Sequence, residues 1–213
     1  MTGIVIAWGV MSALVLALLV VARRGPHGAE WVVKPAAALT FVVTGLAFGG
    51  PSSTFGRTMI AGLCLAAVGD VLLIPKSPRA FLAGLGSFLL GHLAYAIAFV
   101  IRGVDVGWAL GALVVLAIAA IPILRWLWPH VPPRMRGPVA AYIVVITLMV
   151  AAAAGAAHRD GAWMVLAGAT LFYLSDLAVA RNQFVQPSFV NRAWGLPAYF
   201  GAQMILAVQA GSP

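Results

Sequence analysis

The chain is 213 residues long, 63% hydrophobic and only 8% charged, with a mean hydropathy of +1.03, where a soluble domain carries about 25% charged residues. These figures exclude a soluble globular protein and define a polytopic membrane protein, with room for about eight spans of ~20 residues and for no soluble domain. The net charge of +8 is spread singly over segment ends, the pattern of topology signals and anionic-headgroup contacts rather than of nucleic-acid binding.

The first apolar run, Gly3 to Ala22, has span length, lacks a basic n-region and is followed directly by Arg23-Arg24. That pattern predicts a retained first helix rather than a cleaved signal. Further spans are predicted at 32–49, 57–74, 80–101, 107–128, 137–156, 162–182 and 193–210. All eight are expected to be helical, because a spanning segment must satisfy its own backbone. The expectation is an all-α, eight-span bundle occupying residues 1–213 as one domain. Gly25-Pro26, Gly49-Gly50-Pro51, Pro75, Pro129, Pro132-Pro133 and Pro187 punctuate the joins. The single Cys64, in the third span, excludes an intramolecular disulfide and reads as a small buried apolar residue.

Basic residues orient the bundle. Loops one, three, five and seven with their flanks hold Arg23, Arg24, Lys34, Lys76, Arg79, Arg125, Arg134, Arg136, Arg181 and Arg192, against Arg57, Arg102 and Arg159 on the other side. This asymmetry predicts odd loops in the cytoplasm and both termini outside, in the plasma membrane.

Five residues are acidic. Glu30, Asp105 and Asp160 fall at predicted joins, whereas Asp70 and Asp176 lie inside apolar segments. Intramembrane carboxylates are expensive and mark functional sites by default. Asp70 is four residues from the inner end of the third span and Asp176 six from that of the seventh, depths of roughly 6 and 9 Å. Lys34 opens the second span and Asn191-Arg192 open the eighth at the same face. Around the aspartates, Lys34, His92, Tyr95, Ser175, Asn182, Tyr199 and Gln203 are candidate substrate-binding residues. Each has a plainer role open to it: Lys34 can snorkel, Tyr199 can pack, Gln203 can join two helices, and His92 can hold a neighbouring helix. For the aspartates the plainer role is a buried ion pair with Lys34. Gly84, Ser87, Gly91 and Tyr95 form one stripe of the fourth span, small residues there letting helices approach closely.

The residues give little support to metal or serine chemistry. One intramembrane histidine and two aspartates lack HxxxH or HExxH spacing. Ser175 has no GxSxG context. No cofactor is expected.

Lys34-Pro35, Gly69-Asp70, FLAGLGSFLLGHLAY from Phe81 to Tyr95, LFYLSDLAVARNQF from Leu171 to Phe184, and AYFGAQ from Ala198 to Gln203 occur in this order. This set resembles the YhhN-like family of membrane proteins, the lysoplasmalogenases. The family's last span reads closer to Tyr-Tyr-Leu-Ala-Gln, from which Phe200 and Gly201 depart. The resemblance implies a lysophospholipid substrate and hydrolysis of the vinyl ether bond of lysoplasmalogens. The products would be a fatty aldehyde and a glycerophospho-ethanolamine or -choline. The family is also distantly similar to membrane hydrolases that include alkaline ceramidases, but this chain lacks their metal-binding histidines, so that mechanism does not carry over. Vinyl ether hydrolysis needs a proton donor and a nearby anion or base, and two buried carboxylates sharing a site would supply both. Glycosidases meet an oxocarbenium-like transition state with the same pair of groups. On these grounds Asp70 and Asp176 are the predicted catalytic residues, in a site toward the cytoplasmic leaflet.

Two other classes use the same features. A proton-coupled transporter would relay protons through Asp70 and Asp176, although both lie on one side rather than at the midplane. Gly69-Asp70 and Ser175-Asp176, four spans apart, are compatible with a parallel repeat. A non-catalytic lipid-binding protein would tolerate loss of either aspartate. Oligomeric state is not readable from the residues.

Overall fold

A computed structural model describes residues 2–25 and 27–211; Pro26, one of the predicted breakers, lies outside the described residues. The chain forms eight α-helices: α1 Thr2–Arg24, α2 Glu30–Ala47, α3 Thr54–Leu72, α4 Pro78–Arg102, α5 Val106–Leu127, α6 Pro133–Asp160, α7 Trp163–Ala180 and α8 Phe189–Gln209. The all-α polytopic architecture is therefore as expected. Helices start earlier than hydropathy places them wherever a polar residue caps them. Ser53 Oγ accepts from the Gly56 N–H at 2.9 Å and opens α3, and Ser188 Oγ accepts from the Val190 N–H at 3.0 Å and opens α8. The seventh helix also ends differently, with a π-helical turn over Arg181–Val185.

Among the described residues seven helices are long and apolar enough to cross a membrane, and α8 is not one of them. It has the length, 21 residues or about 31 Å. Its hydropathy is lowered by Asn191, Arg192, Tyr199 and Gln203, which it turns toward the interior.

Helices α2, α3, α4, α6, α7 and α8 pack in that order as a closed ring, with α1 outside against α2 and α8 and α5 outside against α6. Only 6% of the most apolar window of α5 is buried, against 56% of that of α6. Thus α5 presents its side chains outward, as a lipid-facing helix should, and α6 is interior. Packing repeats between the two halves of the chain: α1–α2, α2–α3, α3–α4 and α2–α8 match α5–α6, α6–α7, α7–α8 and α6–α4. Tyr95 and Gln203, 108 residues apart, are hydrogen-bonded to each other. The same offset, to within two residues, relates Lys34 to Tyr142, Asp70 to Asp176 and His92 to Tyr199.

The stripe on α4 faces α3, as small residues at that spacing predict. Ser87 Oγ donates to the Leu65 carbonyl at 2.6 Å. A Cβ on Gly62 would stand 2.5 Å from the Tyr95 ring, which is fully buried. Gly62→Ala is therefore expected to cost about 1–3 kcal/mol through overpacking, read as a lowered unfolding temperature in detergent. Cys64 departs from expectation: it lies exposed on the outer side of α3. Its neighbours Gly62 and Leu63 take the inward positions.

The two ends of the bundle differ. At one end Arg102 Nε donates to Asp160 Oδ2 at 2.6 Å and His158 Nδ1 lies 3.2 Å from Asp105 Oδ2. The Trp108 N–H bonded to Asp105 holds that carboxyl below its usual range. The α5 cap is accordingly at full strength at neutral pH and is lost as pH falls through that lowered range. At the other end the helix termini splay around a cavity.

Candidate active site

Asp70, in the last turn of α3, is 2% exposed, and both its oxygens are engaged. Lys34 Nζ of α2 stands 3.2 Å from Oδ1. Tyr199 Oη of α8 donates to Oδ2 at 2.6 Å. Behind them Gln203, one turn along α8, donates from Nε2 to Tyr199 Oη at 3.3 Å, and its Oε1 accepts from Tyr95 Oη at 2.8 Å. This relay orients every donor toward the carboxylate.

Asp176 is arranged otherwise. Tyr142 Oη of α6 donates to Oδ2 at 2.8 Å. His92 Nε2 of α4 lies 3.3 Å from the same oxygen and 2.8 Å from Tyr142 Oη. Nδ1 of His92 is buried without a partner, so a proton on Nε2 accounts for both contacts. No hydrogen bond from the described residues reaches Oδ1 of Asp176, whose side chain is 18% exposed.

Both aspartates line one cavity of about 770 Å³, walled by residues of all eight helices. No hydrogen bond joins them among the described residues, and each has its own partners. What links them is a path of aromatic contacts, with ring centroids 5.2 Å apart from Tyr199 to Phe172 and 4.4 Å from Phe172 to His92.

The predicted binding residues divide into two layers. Lys34, Asn182 and Tyr199 line the cavity with Asp70 and Asp176. His92, Tyr95, Ser175 and Gln203 do not line it and are at most 1% exposed, so they stand behind the lining residues rather than on the cavity surface. Ser175 Oγ is turned back onto its own helix, donating to the Phe172 carbonyl at 2.7 Å. Asn182 Oδ1 accepts from the Ser188 N–H at 3.0 Å, tying the π-helical turn to the start of α8. Tyr142 is the residue that sequence reasoning overlooks. Its signal is the internal offset, which places it opposite Lys34.

Among the described residues no group of three or more His, Cys, Asp and Glu side chains is placed to hold a metal ion. The cavity is largely apolar, with a charged floor and a charged rim, a shape suited to an amphiphile.

The fold and the cavity define a polytopic α-helical membrane protein with two separately furnished aspartates at one end of its bundle. The chain belongs to the YhhN family, which it matches over residues 29–210. It is 31% identical to the lysoplasmalogenase of Mycobacterium tuberculosis over 89% of its own length and 76% of that protein. Bovine lysoplasmalogenase TMEM86A is 31% identical over 84% of this chain and 72% of that one. Human lysoplasmalogenase TMEM86B is 32% identical over 75% and 66%. No solved structure matches the chain.

Proposed function

We propose that the protein hydrolyses the vinyl ether bond of lysoplasmalogens, with Asp176 as proton donor and Asp70 as a fixed anion. The relatives named lysoplasmalogenase support the reaction. The observation that carries the division of roles is the difference between the two carboxyls. Asp70 has both oxygens occupied, one of them by an ammonium, whereas Asp176, which lines the cavity, takes its donors on Oδ2 and has none on Oδ1 among the described residues.

In this mechanism Asp176 gives a proton from Oδ1 to the alkene carbon remote from the ether oxygen, and the adjacent carbon becomes an oxocarbenium ion. The Asp70 carboxylate lowers the energy of that cation from a fixed position. Water adds to the cation and returns a proton to Asp176, forming a hemiacetal. Asp176 then protonates the glycerol oxygen as it leaves and accepts the proton of the hemiacetal hydroxyl. One water is consumed, and a fatty aldehyde and a glycerophospho-ethanolamine or -choline are released. The test is aldehyde release from lysoplasmalogen by the purified protein; absence of aldehyde overturns the assignment.

The basic asymmetry supports a cavity that opens toward the cytoplasmic leaflet, with the chain working as one bundle and both termini outside. Because Cys64 is itself exposed, labelling needs it replaced first. A cysteine at His130, exposed between α5 and α6, is then expected to stay unlabelled by an impermeant reagent in intact cells. Strong labelling there would reverse the orientation.

A further inference from the structure

We propose that Glu30 and Arg192 form a headgroup subsite at the cavity mouth, Arg192 taking the phosphate of a zwitterionic lysophospholipid and Glu30 its ammonium. The proposal rests on the lysophospholipid reading above and extends it to the polar end of the substrate.

The chain has five acidic residues, and four have assigned surroundings. Asp70 and Asp176 sit in the cavity floor, and Asp105 and Asp160 hold partners at the opposite end. Glu30 is the remaining one, and it lines the cavity together with Arg192. Glu30 Oε1 and Arg192 Nη1 are 3.7 Å apart, with side chains 20% and 34% exposed. Direct N–H···O hydrogen bonds fall at 2.7–3.2 Å. The two side chains thus form an ion pair at the rim without a direct hydrogen bond, and each keeps hydrogen-bonding capacity for a ligand of opposite sign. A guanidinium matches a phosphate with its planar fork of donors, and a carboxylate matches an ammonium.

The register of the helices places this pair over the reaction site. Glu30 precedes Lys34 by four residues on α2, and Arg192 precedes Tyr199 by seven on α8, so each stands on the same helical face as its deeper neighbour. Along α2 the step is roughly 6 Å. A lysolipid whose phosphate and amine exchange onto Arg192 and Glu30 would lay its glycerol along this step and its vinyl ether against the aspartates. The apolar remainder of the cavity is left for the chain.

Binding of lysophosphatidylethanolamine and of lysophosphatidic acid with the same acyl chain, measured calorimetrically in detergent, separates the two charges without requiring turnover. The wild-type protein is expected to prefer the ethanolamine lipid by about tenfold, and Glu30→Gln to reduce that preference to about one. Arg192→Gln should weaken both lipids by about tenfold, since both carry the phosphate. With ethanolamine lysoplasmalogen, Glu30→Gln should act mainly on KM. Equal wild-type binding of the two lipids, or a Glu30→Gln protein that keeps the preference, overturns the ammonium site. Unchanged affinities in Arg192→Gln overturn the phosphate site. A wild-type protein that discriminates the lipids but releases no aldehyde would sink the hydrolase reading and leave the subsite standing.

Discussion

Asp176→Asn is expected to lose turnover by about 10²- to 10⁴-fold, the usual weight of a positioned acid–base group, while its unfolding temperature stays near that of the wild-type protein. The substitution keeps the shape of the side chain and an oxygen to accept from Tyr142, and it removes the transferable proton. The groups bonded to Asp176 are Tyr142 and His92, so no lysine or arginine is left unpaired. Asp70→Asn should match it in lost turnover but not in stability, because it deprives Lys34, 3.2 Å away, of its counter-charge. The double variant should be scarcely slower than either single one, since groups acting in one step are strongly non-additive. Aldehyde release by the four purified proteins, with thermal unfolding alongside, decides the matter. Substantial turnover by Asp176→Asn would remove it from the chemistry, and full stability of Asp70→Asn would contradict the buried pair.

The second large effect concerns Lys34. Lys34→Met leaves the Asp70 carboxylate, 2% exposed, with only the Tyr199 hydroxyl beside it. Removing one member of a buried ion pair costs about 3–5 kcal/mol, whereas replacing both by uncharged groups is often neutral. Lys34→Met is therefore expected to be both inactive and destabilised. Adding Asp70→Asn to it should recover most of the stability and none of the turnover. That separation tells the two roles of the pair apart: a lysine that merely anchors α2 at the headgroups would give an active, stable Lys34→Met protein. Recovery of turnover in the double variant would show the Asp70 charge to be dispensable.

The parts of this architecture that were legible in the sequence are those written along a single helix. Hydropathy located the spans, and the common depth of Asp70, Asp176 and Lys34 followed from counting residues to the span ends. The spacing of Gly84, Ser87 and Gly91 announced a close neighbour for α4. What stayed hidden depends on which helices lie side by side, and no single span records that. Tyr142 reads as one aromatic residue in an apolar run until α6 is seen beside α7. The aspartates read as a pair because their depths agree, whereas their separate partners, Lys34 and Tyr199 for one and Tyr142 and His92 for the other, are a property of the ring of helices. Cys64 illustrates the same limit, since composition does not say which side of α3 faces outward.

The recurrence of packing between the two halves has a consequence for the making of the protein. Each aspartate draws one partner from its own half and one from the other: Asp70 has Lys34 and Tyr199, Asp176 has Tyr142 and His92. When the ribosome has delivered the first four helices, Asp70 has met its lysine but not its tyrosine, and His92 awaits a carboxylate not yet translated. Neither half alone holds the full set of partners for its aspartate. The partner set is complete only when the last helix closes the ring and Tyr199 reaches Asp70, so under the proposed mechanism a chain truncated before α8 is expected to release no aldehyde.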